Sequence, residues 1–373
     1  MNASYASLFE SYAFRSGVAV NNRVVMAPMT NWSSNPDGSV SDAEIRYYER
    51  RSGKIGMVIT AVAYVSPHGK GFDGQVSADR DEMIPSLRWL AEAIKNKGSK
   101  AVLQIFHGGR ECPPELIPNG EVVGVSTVPS PNKPSAVPRE LSHDEIVSII
   151  KDFGEAARRA IEAGFDGVEI HGANGYLIQQ FFSPHSNTRS DQWGGSTAKR
   201  MSFPLAVVDE VKRVVSAYAK QPFLIGYRFS PEEAHNPGIT MPDTLELVEA
   251  LSRKELDYLH VSLMDFWSLP RSGEVQNKPR IELIHEKVAG RAPVIGVGSI
   301  HTAEEASKAL DTGIELIALG RELIMEPDWV QKIEEGRESD IAVTISRDAQ
   351  ERLVLTDPLW HAVINREGWF PVV

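Results

Sequence analysis

The stretch GVEIHGANGYLIQQFFSPHSNTRSDQWGGS, residues 167–196, begins with a short apolar run and continues with hydrogen-bonding side chains. The apolar run is typical of a buried β-strand. His171, Asn174 and Tyr176 follow at the point where this strand would end, and the rest of the stretch is interpreted as a long polar loop. These residue types predict that a polar group is bound at the carboxyl end of the strand.

Seven further apolar runs lie on either side of this strand, and helical patterns follow several of them. The eight runs lie at residues 23–29, 55–63, 100–107, 164–171, 223–230, 256–262, 293–299 and 314–320. Helical patterns lie at 41–53, 83–97, 142–163, 197–217 and 242–253, the third of them opened by the capping pattern Ser142-x-x-Glu145. Strands of a parallel sheet are buried on both faces by crossover helices. Eight such units match an α/β fold of the (β/α)₈ TIM barrel type better than an open doubly wound sheet, although periodicity alone leaves the open sheet as an alternative.

The domain organisation follows from this alternation. We expect one barrel domain over residues 1–337, with loop insertions that include a proline-rich segment at 113–138. Residues 338–373 form a C-terminal tail, which is expected to pack on the barrel or on a neighbouring subunit. Monomer, dimer and tetramer all stay open.

The composition limits the classes of function. The net charge of −11 carries no block of like charge, which argues against nucleic acid or anionic membrane as a partner. The sequence contains no stretch of eighteen apolar residues, so it predicts no transmembrane helix. The N-terminus lacks the pattern of a signal peptide. The single cysteine, Cys112, excludes internal disulfides and a cysteine-ligated iron–sulfur cluster. We therefore expect a cytoplasmic protein that acts on a small molecule.

The chemistry of such barrels collects at the carboxyl ends of the strands. The residues that the predicted strands place there are Pro28, Met29, Thr30, Ala61, Gln104, His171, Asn174 and Arg228. Two glycine-rich turns, at Gly296–Gly298 and Gly320–Arg321, follow the last two strands. Backbone N–H groups of such turns bind phosphate, and Arg321 would add a charged donor. The structural alternative is that these glycines only close tight turns.

Gln104 and Arg228 indicate which phosphorylated ligand the barrel binds. A glutamine can donate to and accept from the edge of an amide-like ring, and an arginine stabilises negative charge that develops on it. Both properties suit a flavin, which becomes anionic on reduction. Each residue also has a structural alternative, since Gln104 could satisfy a neighbouring backbone group and Arg228 could pair with Asp166.

Several segments together resemble the Old Yellow Enzyme family of FMN-dependent NADH:flavin oxidoreductases. They are NNRVVMAPMT, LQIFHGGR, AARRAIEAGFDGVEIHGANGYLIQQFFSPHSNTRSDQWGGS, IGYRFSP, PVIGVGSI and IALGRELIMEPDW, which span about residues 21–330. The resemblance implies non-covalent FMN at the barrel mouth, with its phosphate at Gly298, Gly320 and Arg321. Around the flavin ring it places Pro28, Met29, Thr30, Ala61, Gln104, His171 and Arg228.

The resemblance also answers why polar residues follow the strand at 164–171. His171 and Asn174 correspond to the family's pair of donors to a substrate carbonyl oxygen, and Tyr176 to its proton donor. Trp32 stands where several relatives place an aromatic residue near the substrate. The implied reaction is reduction of an activated C=C bond by hydride from flavin N5 and a proton from Tyr176, with NADPH or NADH as reductant.

Three alternatives stay open from the residues alone. A non-flavin isomerase or lyase acting on phosphosugars would need a strand-end lysine or carboxylate base, and neither is present at the predicted ends. A metal-dependent hydrolase would need a metal site, but no H-x-H pair occurs, so we expect no metal. A non-catalytic flavin-binding protein would use the same barrel without the reaction.

Overall fold

The barrel is a ring of eight parallel strands, seen in a computed structural model that describes residues 2–133, 135–271 and 277–373. The strands are β1 (Val24–Met26), β2 (Met57–Ile59), β3 (Lys100–Phe106), β4 (Gly167–Gly172), β5 (Leu224–Phe229), β6 (Tyr258–Val261), β7 (Val294–Val297) and β8 (Leu316–Leu319). Each strand pairs with the next, and β8 pairs with β1 so that the ring closes. The predicted (β/α)₈ TIM barrel is confirmed.

Helices cover the outside of the ring. The main ones are α1 (Asp42–Arg51), α2 (Ile84–Lys95), α3 (His143–Ala163), α4 (Ser202–Tyr218), α5 (Met241–Ser252), α6 (Arg280–Val288), α7 (Ala303–Leu310) and α8 (Trp329–Glu334). The capping pattern at the start of α3 is formed as predicted: Ser142 Oγ accepts from Glu145 N, and the Glu145 carboxylate accepts from Ser142 N. The helix ends at Gly164, whose backbone is left-handed.

Short elements complete the chain. Two-stranded pairs join Tyr12–Ala13 to Ala19–Val20 and Val123–Gly124 to Arg139–Glu140. Further α-helical turns lie at Leu177–Phe182, Thr197–Arg200, Arg321–Met325, Gln350–Leu353 and Asp357–Asn365. Short 3₁₀ segments lie at Ala3–Phe9, Pro67–Gly69, Asp81–Met83, Gly109–Glu111, Pro114–Leu116, Pro118–Gly120 and Glu338–Asp340.

Two sequence-based boundaries are wrong. The segment after Tyr176 is not a polar loop throughout, because Leu177–Phe182 forms a helix in which all six residues are buried. The apolar residues of this helix fill the space between β4 and α4, and its two glutamines find partners inside the protein. The strand predicted at 55–63 ends at Ile59; the separate strand Ala63–Tyr64 pairs with the end of β3.

The C-terminal residues contact the barrel of their own chain. The guanidinium of Arg51 on α1 donates from Nη2 to Leu353 O at 2.7 Å, and Ser33 Oγ donates to Thr356 Oγ1 at 2.6 Å. These contacts lead the tail back toward the carboxyl ends of the strands. The division of the chain at residue 337 stays a prediction. None of the helices in the described ranges combines the length and the apolar character that crossing a membrane requires.

Gly226 occupies a position in the barrel interior where no larger side chain fits. Gly226 on β5 lies opposite Tyr258 on β6, and a Cβ at this position would come within 2.0 Å of Tyr258 Cζ. Tyr258 is fully buried, so its ring has no open space into which to move. The close approach of this ring to the β5 backbone therefore requires glycine.

Replacing Gly226 by Ala is expected to lower the free energy of unfolding by about 1–3 kcal/mol, because the added methyl group overpacks the barrel interior. Urea unfolding followed by circular dichroism would measure the change. Gly53→Ala is the matched control, since a Cβ there meets no atom within 4 Å. Equal stability of the two variants would contradict this packing argument.

Candidate active site

Two adjoining cavities lie at the carboxyl ends of the strands, with volumes of about 830 Å³ and about 470 Å³. Of the predicted site residues, the larger cavity is lined by Pro28, Met29, Thr30, Trp32, Asn174 and Tyr176. The smaller one is lined by Pro28, Met29, Asn174, Arg228, Gly298, Gly320 and Arg321. The structure thus brings these predicted residues to one face of the barrel. Ala61, Gln104 and His171 are buried next to them.

His171, the fifth residue of β4, is a neutral hydrogen-bond donor. Its Nδ1 accepts a hydrogen bond from Ala173 N at 3.2 Å, which leaves the proton on Nε2. Burial lowers the pKa of His171 well below its ordinary value, and the positive charge of Arg228 acts in the same direction. The imidazole therefore offers one N–H and no charge at neutral pH.

Asn174 is the second donor. Its backbone is left-handed, with φ of 57°, which carries its side chain over the end of the strand. Its Oδ1 accepts from Ser262 Oγ at 3.1 Å and from Ser230 Oγ at 3.3 Å, while Ser230 Oγ itself accepts from Asn174 N. These contacts assign the oxygen of the amide, so the Nδ2 hydrogens remain for a ligand.

Tyr176 is a protonated phenol at the wall of the larger cavity. Its ring is held edge-on between Phe106, at 4.5 Å between ring centroids, and His171, at 5.4 Å. Burial raises the pKa of Tyr176, and the nearby Glu111 and Cys112 raise it further. The phenol therefore keeps its proton at neutral pH and can donate it to a ligand.

Trp32 and the C-terminal tail close one side of the larger cavity. The rings of Trp32 and Trp369 lie 6.2 Å apart, and the guanidinium of Arg366 lies 4.7 Å from the centre of the Trp32 ring. Arg366 and Trp369 both line the cavity. The sequence predicts that the tail packs on the barrel or on a neighbouring subunit, but it assigns neither Arg366 nor Trp369 to the site, because no local pattern predicts where a tail folds back.

The predicted phosphate site is formed by one side chain and two turns. Arg321 Nη2 donates to Ser299 Oγ at 2.8 Å and Nη1 to Trp369 O at 3.2 Å, so the guanidinium is held over the smaller cavity. Gly320 leads directly into the short helix Arg321–Met325. Gly298 does not lead directly into a helix, since α7 begins at Ala303.

The structure shows neither of the alternatives considered above, which were a backbone partner for Gln104 and an ion pair between Arg228 and Asp166. Gln104 Nε2 donates to the carboxylate of Glu169 at 2.6 Å, not to a backbone group. Arg228 donates from Nη2 to Ser262 Oγ at 3.2 Å, and its Nε is buried without a partner in the described part of the chain. Asp166 lies before the start of β4 and accepts from Ala101 N instead.

Glu169 and His260 are polar residues of this region that were not predicted. Both are completely buried, and His260 Nδ1 lies 2.9 Å from Glu169 Oε2. A signal for Glu169 was present, because it precedes His171 by two residues and so shares its face of the strand. No comparable signal in the sequence pointed to its contact with His260.

Comparison with known proteins shows the family. Residues 7–340 match the model of the NADH:flavin oxidoreductase / NADH oxidase family. The chain belongs to this family. It is 53% identical over 371 residues to the probable NADH-dependent flavin oxidoreductase YqiG of Bacillus subtilis, covering 100% of this chain and 99% of that protein.

The solved structures agree with this assignment. An old yellow enzyme homologue from Zymomonas mobilis superposes with a TM-score of 0.77 at 27% identity, covering 88% of this chain and 93% of that one. The resemblance to the Old Yellow Enzyme family is confirmed. The chain is an oxidoreductase of a flavin-dependent family, which favours this class over the isomerase, lyase and hydrolase alternatives.

A further relative is longer than this chain. The chain is 43% identical over 360 residues to the NADH:fumarate oxidoreductase of Klebsiella pneumoniae, covering 95% of this chain but 38% of that protein. The activity of that whole protein therefore does not transfer to this one.

Proposed function

We propose that this chain is an FMN-dependent NAD(P)H oxidoreductase that reduces activated C=C bonds, such as those of α,β-unsaturated carbonyl compounds. One observation carries the proposal: two neutral N–H donors, on His171 and Asn174, lie beside a phenol that keeps its proton, on Tyr176. These three groups are what a conjugated carbonyl compound needs to accept a hydride and a proton.

The residues present fit FMN. Arg228 and Arg321 both line the smaller cavity and supply positive charge to it, and Arg228 Nε has no partner among the described residues. Gly298 has a φ of +150°, and a Cβ there would lie 2.4 Å from Phe266 N, so no larger side chain fits in this turn. Gly298, Gly320 and Arg321 would hold the phosphate, and Arg228, Gln104, His171, Ala61, Pro28, Met29 and Thr30 would surround the ring.

Each of the proposed residues has its own role in the reaction. When bound, FMN would supply the hydride that the β-carbon of the substrate accepts. The N–H groups of His171 and Asn174 bind the carbonyl oxygen of the substrate and stabilise the negative charge that develops on it. Tyr176 delivers its phenolic proton to the α-carbon, and Trp32 shapes the substrate side of the cavity.

NADPH or NADH is the proposed reductant, binding in the same cavity as the substrate. YqiG and the Klebsiella pneumoniae protein are both named for NADH, which supports a nicotinamide but does not choose between the two.

We also propose a cytoplasmic location, a small-molecule substrate and the division into a barrel over 1–337 and a tail over 338–373.

A spectroscopic titration tests the proposal. The purified chain is expected to show a flavin spectrum, to bleach under anaerobic addition of NADPH or NADH, and to regain its colour with cyclohexenone. A colourless protein that takes up no FMN would refute the flavin assignment. A protein that bleaches but is not reoxidised by the enone would refute the assigned substrate class. A protein that binds FMN and does not bleach would favour the non-catalytic alternative.

Replacing Gly298 by Ala is expected to reduce FMN retention at least tenfold, because the added methyl group would force the phosphate-side turn away from Phe266. The ratio of flavin absorbance to protein after gel filtration measures retention. Gly164→Ala is the matched control, since it also places alanine at positive φ but meets no atom within 4 Å. Equal flavin loss in both variants would contradict a specific role of this turn.

A further inference from the structure

A buried polar cluster lies in the barrel interior beneath the proposed flavin site. It consists of Gln104 on β3, Glu169 on β4, Arg228 on β5 and His260 on β6. Strand register places Gln104 opposite Glu169, and Arg228 opposite both His171 and His260. Glu169 therefore lies two residues, about 7 Å along the strand, below the level of His171 and Arg228.

Glu169 carries a negative charge in this interior. Burial disfavours that charge, but the hydrogen bonds donated by His260 and Gln104 and the positive charge of Arg228 outweigh it and hold the pKa of Glu169 below its ordinary value. Burial lowers the pKa of His260, so the imidazole is neutral and donates from Nδ1 to the carboxylate. The charges of the cluster are thus one carboxylate and one guanidinium.

The carboxylate fixes the orientation of the Gln104 amide. An ionised carboxylate only accepts hydrogen bonds, so the group of Gln104 that lies 2.6 Å from Glu169 Oε1 must be its NH₂. The amide oxygen is then on the side away from Glu169, and it accepts no hydrogen bond from any described residue. A ligand that presents an N–H to this oxygen would be recognised, whereas one with a methyl group there would not.

The same carboxylate offsets the charge of Arg228. No carboxylate lies within ion-pairing distance of this guanidinium in the described ranges, yet Glu169 is close enough to raise the pKa of Arg228 against the effect of burial. Arg228 is 8% exposed and lines the smaller cavity. Removal of Glu169 would leave its positive charge uncompensated next to the ligand, in an interior where charges interact strongly.

We propose that Glu169, held by His260, is a positioning residue for the flavin: it turns the Gln104 oxygen toward the N3–H of the flavin ring and offsets the Arg228 charge that stabilises the reduced ring. This inference rests on the proposed binding of FMN. It assigns two separable effects to one carboxylate, one on recognition of N3–H and one on the reduction potential.

The test compares Glu169→Gln, Glu169→Asp and Asp257→Asn after reconstitution with FMN or with N3-methyl-FMN. Asp257 is the matched control, since it is a buried carboxylate at the opposite end of β6, where it accepts from Ile225 N. Midpoint potentials measured against a reference dye and dissociation constants from fluorescence quenching are the readouts. Neither readout depends on turnover, and an equal loss of affinity for oxidised and reduced FMN would not move the potential.

Glu169→Gln is expected to raise the ratio of reduced-FMN to oxidised-FMN affinity about tenfold, which is about +30 mV for a two-electron couple. It is also expected to lower the preference for FMN over N3-methyl-FMN, which is the ratio of the two dissociation constants, at least tenfold relative to the wild type. Asp257→Asn should change neither readout.

Glu169→Asp separates the two effects and serves if Glu169→Gln does not fold. Because aspartate keeps the negative charge, the potential should stay at the wild-type value. Because its side chain is shorter and cannot reach both Gln104 and His260, the preference for FMN over N3-methyl-FMN should fall. A wild-type preference in this variant, or a wild-type potential in Glu169→Gln, would overturn the inference. A wild-type chain that binds no FMN at all would instead refute the proposed function.

Discussion

Replacing Tyr176 by Phe is expected to slow reoxidation of the reduced protein by cyclohexenone by about 10²–10⁴-fold, the usual contribution of a positioned general acid. The ring of Tyr176 stays packed between Phe106 and His171 in this variant, so only the proton is lost. Reduction by NAD(P)H needs no proton from this phenol and should keep its wild-type rate. Anaerobic stopped-flow measurement of the two half-reactions at the flavin absorbance checks both statements.

Tyr218→Phe is the control for this experiment, because Tyr218 lies at the exposed end of α4 and is 48% exposed. Its two half-reactions should match those of the wild type. If Tyr176→Phe is reoxidised by cyclohexenone as fast as the wild type, the proton comes from elsewhere and the role assigned to Tyr176 is wrong.

Replacing His171 by Ala is expected to lower the rate of enone reduction by about 10²–10³-fold, the cost of removing one preorganised donor to a developing oxyanion. The same change should weaken the binding of phenols, whose oxygen would contact the same two donors. Phenol titration followed by charge-transfer absorbance, together with stopped-flow reoxidation, measures both effects. His171→Gln keeps an N–H donor and should recover part of each loss.

The control for the histidine is His361→Ala, an exposed residue on the helix Asp357–Asn365. It should bind phenols and reduce enones as the wild type does. Unchanged phenol affinity in His171→Ala would show that the carbonyl oxygen is not bound by this imidazole.

The barrel could be predicted from the sequence because its signal is local and repeated. Each strand is a short apolar run, and the strands and the first five helices lie within a few residues of their predicted positions. The site could also be predicted from local patterns, because the residues at the carboxyl ends of parallel barrel strands must lie together at one face. His171, Asn174 and Tyr176 thus lie together as expected from the single stretch 167–196.

Contacts between segments far apart in the chain could not be predicted from local sequence patterns. The sequence does not predict the helix Leu177–Phe182, because its two glutamines suggest an exposed loop and their partners Glu233 and Gly108 lie far away in the chain. The tail brings Arg366 and Trp369 to the cavity over more than 300 residues of separation from Trp32, and no periodicity encodes such a contact.

The sequence by itself determined the eight-fold strand–helix alternation and the order of polar residues at the strand ends. Only the tertiary structure decided which nitrogen of His171 carries its proton, which way the amides of Gln104 and Asn174 turn, and that Glu169 lies charged opposite Gln104. The physical reason is that strand periodicity is a property of neighbouring residues. The state of a buried polar group, in contrast, depends on partners that strands far apart in the chain bring to it.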